Sequence, residues 1–152
     1  MLSSVANFAV LSLNGLASAA SLFLVAVGLS LIFGVTRIVN FAHGSFYMLG
    51  VYVAYSVANT VGGAVGFWGG VLVAGFAVAI IGLLAELVVL RRIYDAPELL
   101  QLIATFALVL VIKDAALAIW GAEDLLGPRA PGFRGAIDIL GKPFPTYDLL
   151  LI

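Results

Sequence analysis

The chain has 152 residues and no cysteine, and only 10% of its residues are charged. The absence of cysteine excludes disulfides and thiolate metal sites. The scarcity of charge argues against a soluble domain, because such domains are about 25% charged. Residues 1–36 carry no charge, and residues 38–85 carry none apart from the titratable His43. A net charge of −1 without clustered Lys and Arg also argues against nucleic-acid binding.

The residue types needed for enzyme chemistry are scarce as well. One histidine and no cysteine leave too few ligands for a metal cluster, so no metal site and no catalytic group are predicted. The sequence has no Gly-x-x-x-x-Gly-Lys-Ser/Thr phosphate loop. If ATP powers the activity of this protein, another chain must therefore bind the nucleotide. We therefore predict that the protein is not an enzyme and binds no cofactor itself.

Apolar residues make up 64% of the chain and form runs longer than the roughly 18 residues that indicate a membrane span. They predict an all-α fold, a polytopic transmembrane helical bundle in one partial domain over residues 1–152. As a single helix, residues 1–36 would be about 54 Å long. Because the hydrocarbon core is only about 30 Å thick, residues 1–9 are assigned to the interface. About four complete spans and the start of a fifth are expected, over residues 10–35, 42–61, 67–90, 99–120 and 147–152.

The two ends of the chain carry further expectations. The first basic residue is Arg37, so no cleavable signal peptide is expected at the N-terminus. The apolar segment Tyr147–Ile152 is too short to cross a bilayer. The chain is therefore interpreted as an N-terminal fragment.

The orientation follows from the basic residues at the ends of the spans. Arg37, Arg91 and Arg92 fall on one side if the first three spans alternate, and that side is predicted to be cytoplasmic. The N-terminus and the loop over residues 121–146 would then be extracytoplasmic. Arg129, Arg134 and Lys142 lie in this loop and oppose the assignment.

A polar patch, Asn40–Gly44, stands at the start of the second span. Polar groups at membrane depth are costly unless they are buried in protein or face water. The patch predicts a broken or re-entrant start to this span beside a substrate path, with Asn40, His43, Gly44 and Ser45 as candidate path residues. The alternative is that Asn40 and His43 lie at the headgroups or cap the helix.

Two other patterns yield candidate residues. Small residues at four-residue spacing predict close helix packing at Ala26, Ser30, Gly34, Gly50, Ala54 and Ala58. Lys113 and Asp114 are charges inside the fourth span, where a charge is a functional candidate by default. Lys113 could instead extend to the interface along its aliphatic stem.

The run over residues 28–52, GLSLIFGVTRIVNFAHGSFYMLGVY, resembles the hallmark of the LivH-type permeases of branched-chain amino-acid ABC transporters. The segments Glu86–Arg92 and Leu102–Thr105 are similar to later landmarks of that family. Ser45 departs from the pattern, since many members have Glu there, and so does Val51, where Ala is usual. Lys113 stands where an uncharged residue would be less surprising.

The resemblance implies a permease subunit of the bacterial inner membrane that imports branched-chain amino acids and forms part of the translocation path. It implies as partners a second homologous permease subunit, two cytoplasmic ATPase subunits that use ATP, an extracytoplasmic substrate-binding protein and membrane lipid. Relatives with a similar motif import urea or short amides, so the substrate stays open. A self-sufficient channel or secondary transporter, or a membrane scaffold, are the alternatives.

Overall fold

The computed structural model describes residues 2–123, 125–128, 130–133, 135–139 and 142–152. Its main elements are long helices, which are followed late in the chain by a small antiparallel sheet and a short helix. In order they are α1 (Leu2–Thr36), α2 (His43–Val61), α3 (Gly63–Val88), α4 (Glu98–Trp120), β1 (Ala136–Ile139), β2 (Lys142–Pro145) and α5 (Thr146–Leu151). The predicted all-α membrane fold is confirmed in its main feature.

Three described segments are long and apolar enough to cross a membrane: Ser4–Thr36, Gly63–Arg92 and Glu98–Trp120. Most of their large apolar side chains are exposed, for example Phe8 at 75% and Phe76 at 72%. Such surfaces are unstable in water and stable in lipid. The protein is therefore a multi-pass helical membrane protein. Helix α2 is not among the three segments, so the span count and the re-entrant start remain predictions.

The first helix is longer than the expected span over residues 10–35. Residues 2–9 continue the same helix without a break, and their location at the interface remains a prediction. The sequence offers no proline or charge that would interrupt the helix there. The ends of α3 and α4 lie within four residues of the predicted limits, at Gly63–Val88 and Glu98–Trp120.

Contacts divide the chain into two compact units, Gly28–Pro128 and a second unit of residues 1–27 and 129–152. The second unit contains the sheet, in which Ile137 pairs with Phe144. Phe144 is completely buried, and the Lys142 ammonium donates a hydrogen bond to the Asn7 side chain. This hairpin was not predicted within the 121–146 loop. Arg129 and Arg134, which bear on the orientation, lie outside the described residues.

Within the first unit, α2 and α3 form a tight antiparallel hairpin. The turn is Gly62, at φ +71°, followed by Gly63 at φ +62°, both in the left-handed region that favours glycine. A Cβ at Gly70 would lie 2.7 Å from the backbone oxygen of Ala54, and a Cβ at Gly66 would lie 3.1 Å from that of Ala58. The two helix backbones approach this closely because glycine occupies those positions.

Helix α4 also packs against α2. Ile112 and Ala116 of α4 form a buried apolar cluster with Ala42 and Leu49, and Phe46, Tyr52 and Trp120 pack around it. The connection between α3 and α4 is a 3₁₀ turn, Leu90–Arg92, and a short loop. There Gln101 Nε2 donates to the carbonyls of Ile93, Tyr94 and Ala96 at 3.0–3.2 Å. The two N–H donors of one side-chain amide are thus shared among three carbonyls of the loop.

The same connection carries the Tyr94 hydroxyl, which donates to Glu86 Oε1 at 3.1 Å. Partial burial raises the pKa of Tyr94 above its ordinary value, and the Glu86 carboxylate raises it further. The phenol is therefore neutral at physiological pH, where it can donate this hydrogen bond.

Candidate functional site

The predicted polar patch lies in the link between α1 and α2. Helix α1 ends at Thr36, whose hydroxyl donates to the carbonyl of Ile32 at 2.9 Å and accepts from the N–H of Ile38 at 3.3 Å. Arg37 then adopts φ +56°, an uncommon conformation for a residue with a side chain. Ile38 is buried at 3% exposure. The chain thus leaves α1 through a sharp bend that is held at Thr36 and Ile38.

Asn40 closes the link and starts α2. Its side chain is 4% exposed, and Oδ1 accepts a hydrogen bond from the N–H of Ala42 at 3.0 Å. Its backbone carbonyl also accepts from the N–H of His43 at 3.2 Å. An Asn side chain bonded two residues ahead mimics a backbone turn. Asn40 therefore acts locally, by shaping the link and setting where α2 begins.

His43, the first residue of α2, packs against α1. A Cβ at Gly28 would lie 2.9 Å from His43 Nε2 and 3.0 Å from Cε1. The imidazole therefore occupies the space that a side chain at position 28 would need. His43 is half-buried, so its ring both contacts α1 and remains partly accessible. Sequence reasoning missed Gly28, although it opens the motif in which His43 lies.

Gly44 and Ser45 follow in the first turn of α2. Gly44 is exposed, and a Cβ there would meet no atom within 4 Å. Among the described residues, the left-handed glycines are Gly62, Gly63, Gly121 and Gly132, so Gly44 needs no special conformation. Its expected role in breaking the helix is thus not expressed in its backbone. Ser45 is half-buried.

The two predicted packing stripes have different surroundings. Gly50, Ala54 and Ala58 lie along the α3 side of α2; a Cβ at Gly50 would be 3.4 Å from Val78, and Ala58 is 8% exposed. On α1 the stripe Ala26, Ser30 and Gly34 is exposed, and a Cβ at Gly34 would meet nothing within 4 Å. The close approach of helices is thus seen along α2, and packing by the α1 stripe remains a prediction.

The two intramembrane charges lie on the outer surface of α4. Lys113 and Asp114 are both exposed, whereas the flanking Ile112 and Ala116 are buried. Lys113 and Asp114 therefore lie on the exposed surface of α4, whereas Asn40 lies in the link before α2 and His43 is the first residue of α2. Among the described residues, no group of three His, Asp or Glu side chains could hold a metal ion.

A polar contact that sequence reasoning missed joins α2 to α4. Trp120 Nε1 donates to Ser56 Oγ at 2.7 Å, and Ser56 Oγ donates to the carbonyl of Tyr52 at 2.9 Å. The rings of Tyr52 and Trp120 stack with centroids 5.0 Å apart. The only sequence signal is the four-residue spacing of Tyr52 and Ser56, which places both on one helix face.

Residues 11–129 match the family described as the branched-chain amino acid transport system permease component. The chain is 29% identical over 122 residues to the high-affinity branched-chain amino acid transport system permease protein LivH of Salmonella typhimurium, covering 76% of this chain and 39% of that protein. It is 30% identical over 111 residues to the permease protein BraD of Pseudomonas aeruginosa, covering 68% and 36% respectively.

The LivH protein of Escherichia coli K12 is 28% identical over 121 residues. The chain thus spans about two fifths of the length of the curated relatives it matches. No solved structure matches it significantly. The matched region contains α2, α3, α4, the link at Asn40 and most of α1, and the family is a transporter component with no enzyme activity. The chain belongs to the permease-component family of branched-chain amino acid transport systems.

Proposed function

We propose that the protein is a permease subunit of an ABC importer for branched-chain amino acids and forms part of the translocation path in a bacterial inner membrane. The observation that carries this proposal is the family match over residues 11–129, which includes the whole link between α1 and α2. The relatives LivH and BraD are themselves described as permeases for branched-chain amino acids.

The proposed partners are those expected of an ABC importer. Two separate cytoplasmic ATPase subunits bind the ATP that supplies the energy, and this chain itself contains no phosphate loop. A second homologous permease subunit completes the path, and an extracytoplasmic binding protein delivers the substrate. This chain itself binds no cofactor.

The link between α1 and α2 is the part of the chain that we assign to the path. Asn40 fixes the start of α2, and His43 holds that start against Gly28 of α1. Gly44 leaves open space beside the first turn, and Ser45 adds a hydroxyl there. The arrangement lets α2 keep a defined position relative to the end of α1 while its polar N-terminal turn borders the path.

Uptake of radiolabelled leucine by cells that carry the full-length protein and its partners tests the function. Competition by isoleucine and valine, and none by urea or acetamide, supports a branched-chain amino-acid permease. Competition by urea or acetamide alone would instead assign a permease of the same type for short amides. Uptake that persists without any ATPase subunit would favour a self-sufficient transporter.

His43→Ala tests the proposed site. Loss of the imidazole removes the contact with Gly28, and we expect leucine uptake to fall about tenfold or more, which corresponds to roughly 1.4 kcal/mol. The amount of protein in the membrane, measured by immunoblot, should stay unchanged. Val39→Ala is the matched control, because Val39 lies in the same link and is 43% exposed. Normal uptake by the His43 variant would contradict the site assignment.

A further inference from the structure

Helix α2 is more polar than the three segments that meet the criteria for a membrane span. It carries His43, three tyrosines, Ser56, Asn59 and Thr60 among its 19 residues. It is nevertheless held between α3 on one side and α4 on another. A helix of this composition inside a membrane protein needs a polar environment for part of its surface.

Two faces of α2 are already occupied. Gly50, Ala54 and Ala58 contact or approach α3. Leu49, Tyr52 and Ser56 pack toward α4 through the buried cluster and the Trp120 hydrogen bond. Because residues four apart lie on one side of a helix, a further row starts beside the α3 face and turns away from it along α2. We call this row the open face of α2, and it consists of Tyr47, Val51, Tyr55 and Asn59.

The open face is accessible and polar. Tyr47 is 59% exposed, Val51 is 53% exposed, Asn59 is exposed and Tyr55 is half-buried. In the part of the chain that the structure describes, the hydroxyls of Tyr47 and Tyr55 and the Asn59 amide make no hydrogen bond. Burying one such group in hydrocarbon without a partner is energetically costly. Contact with water removes that cost.

We propose that the open face of α2 lines the aqueous translocation path and contacts the solute there. This inference rests on the proposed permease function and adds residues that help to determine its specificity. Two tyrosine rings and Val51 offer apolar surface to an aliphatic side chain. The hydroxyls and the Asn59 amide can hydrogen-bond to the ammonium and carboxylate groups of an amino acid. The open face carries no charged residue, which favours a zwitterion without net charge.

This chain has no cysteine of its own, so accessibility labelling of single cysteines tests the proposal. They replace Tyr47, Val51, Tyr55 and Asn59 in a cysteine-free form of the full-length protein, assembled with cysteine-free partners in membrane vesicles. Only the thiolate attacks a charged, water-soluble thiol reagent, and the thiolate forms in water and not in lipid. Leu72→Cys and Phe76→Cys of α3 are the controls, because both side chains are highly exposed on a span, at 66% and 72%.

We expect all four positions of the open face to react about tenfold faster or more than the two controls. The reason is that the reactive thiolate forms in water and not in lipid. Leucine at millimolar concentration should slow the reaction at these positions and leave the controls unchanged. Rates equal to those of Leu72→Cys at all four positions would overturn the proposal. Fast labelling at Tyr47→Cys and Asn59→Cys alone would overturn it too, by placing only the ends of α2 at the interfaces.

The proposed function is tested separately in the same vesicles by ATP-driven uptake through the unsubstituted protein. Fast labelling without protection by leucine, in vesicles that do import leucine, would contradict contact between the open face and the solute. Failure of the unsubstituted protein to import leucine would contradict the proposed function instead, while the labelling rates still report whether the open face is in water.

Discussion

At the residue scale, Gly28 and Gly70 both lie close to another residue, but one faces a side chain and the other faces a helix backbone. At Gly28 the neighbouring atoms belong to the outer end of the His43 ring, 2.9 Å from where a Cβ would lie. At Gly70 the neighbouring atom is the backbone oxygen of Ala54, at 2.7 Å. A side chain can rotate away from an added methyl group, whereas a helix backbone has to move as a whole. The same substitution therefore has different consequences at the two sites.

Gly28→Ala should impair transport more than stability. The new methyl group displaces the imidazole of His43, so leucine uptake should fall toward the level of His43→Ala while the unfolding temperature in detergent stays near native. Gly15→Ala in α1 is the matched control, because a Cβ there meets nothing within 4 Å.

A double variant sharpens this prediction. If Gly28 acts through His43, adding Gly28→Ala to His43→Ala should reduce uptake no further, since residues in contact are not additive. A further loss equal to that of the single Gly28 variant would show that the two residues act independently.

At the element scale, the α2–α3 hairpin depends on backbone contact, and α2 joins α4 through side chains. The antiparallel pair brings Gly66 and Gly70 against Ala58 and Ala54. Small residues of this kind allow the close van der Waals packing that associates helices in lipid. This close contact holds α2 against α3, while the open face of α2 remains accessible.

Gly70→Ala should destabilise this pair. Overpacking against a backbone atom costs typically about 1–3 kcal/mol, which exceeds the roughly 1 kcal/mol that alanine gains over glycine in a helix. Thermal unfolding in detergent, followed by tryptophan fluorescence, should show a lower midpoint. Gly75→Ala in the same helix should show an equal or higher midpoint, because its Cβ meets no atom within 4 Å. An unchanged midpoint for Gly70→Ala would contradict the close contact.

Much of the helical framework could be predicted from the sequence, because hydrocarbon forces each long apolar run to satisfy its own backbone. The polar patch at Asn40 was located by the same reasoning, since its residues interrupt such runs. The contact between Ser56 and Trp120 could not be predicted, because 64 residues separate them and no spacing rule relates them. The β1–β2 hairpin was missed because each strand has four residues, two of them prolines in β2.

At the scale of the whole molecule, the membrane orientation is the property with most bearing on function. The connection between α3 and α4 carries Arg91 and Arg92, both exposed, directly at the end of the segment Gly63–Arg92. Lys and Arg next to span ends are retained in the cytoplasm. If α3 and α4 both cross the membrane, Asp95 in this connection and Ala122 beyond α4 lie on opposite sides.

Single cysteines at these two exposed positions test the orientation, and the chain has no other cysteine to react. In intact cells, an impermeant thiol reagent should label Ala122→Cys and leave Asp95→Cys unlabelled. After permeabilisation both should be labelled, which controls for reactivity. Labelling of Asp95→Cys alone in intact cells would show that the orientation is the reverse of the predicted one. The start of α2 would then lie on the opposite side of the membrane. Because the proposed ATPase subunits act from the cytoplasm, this one result decides which end of the proposed path they face.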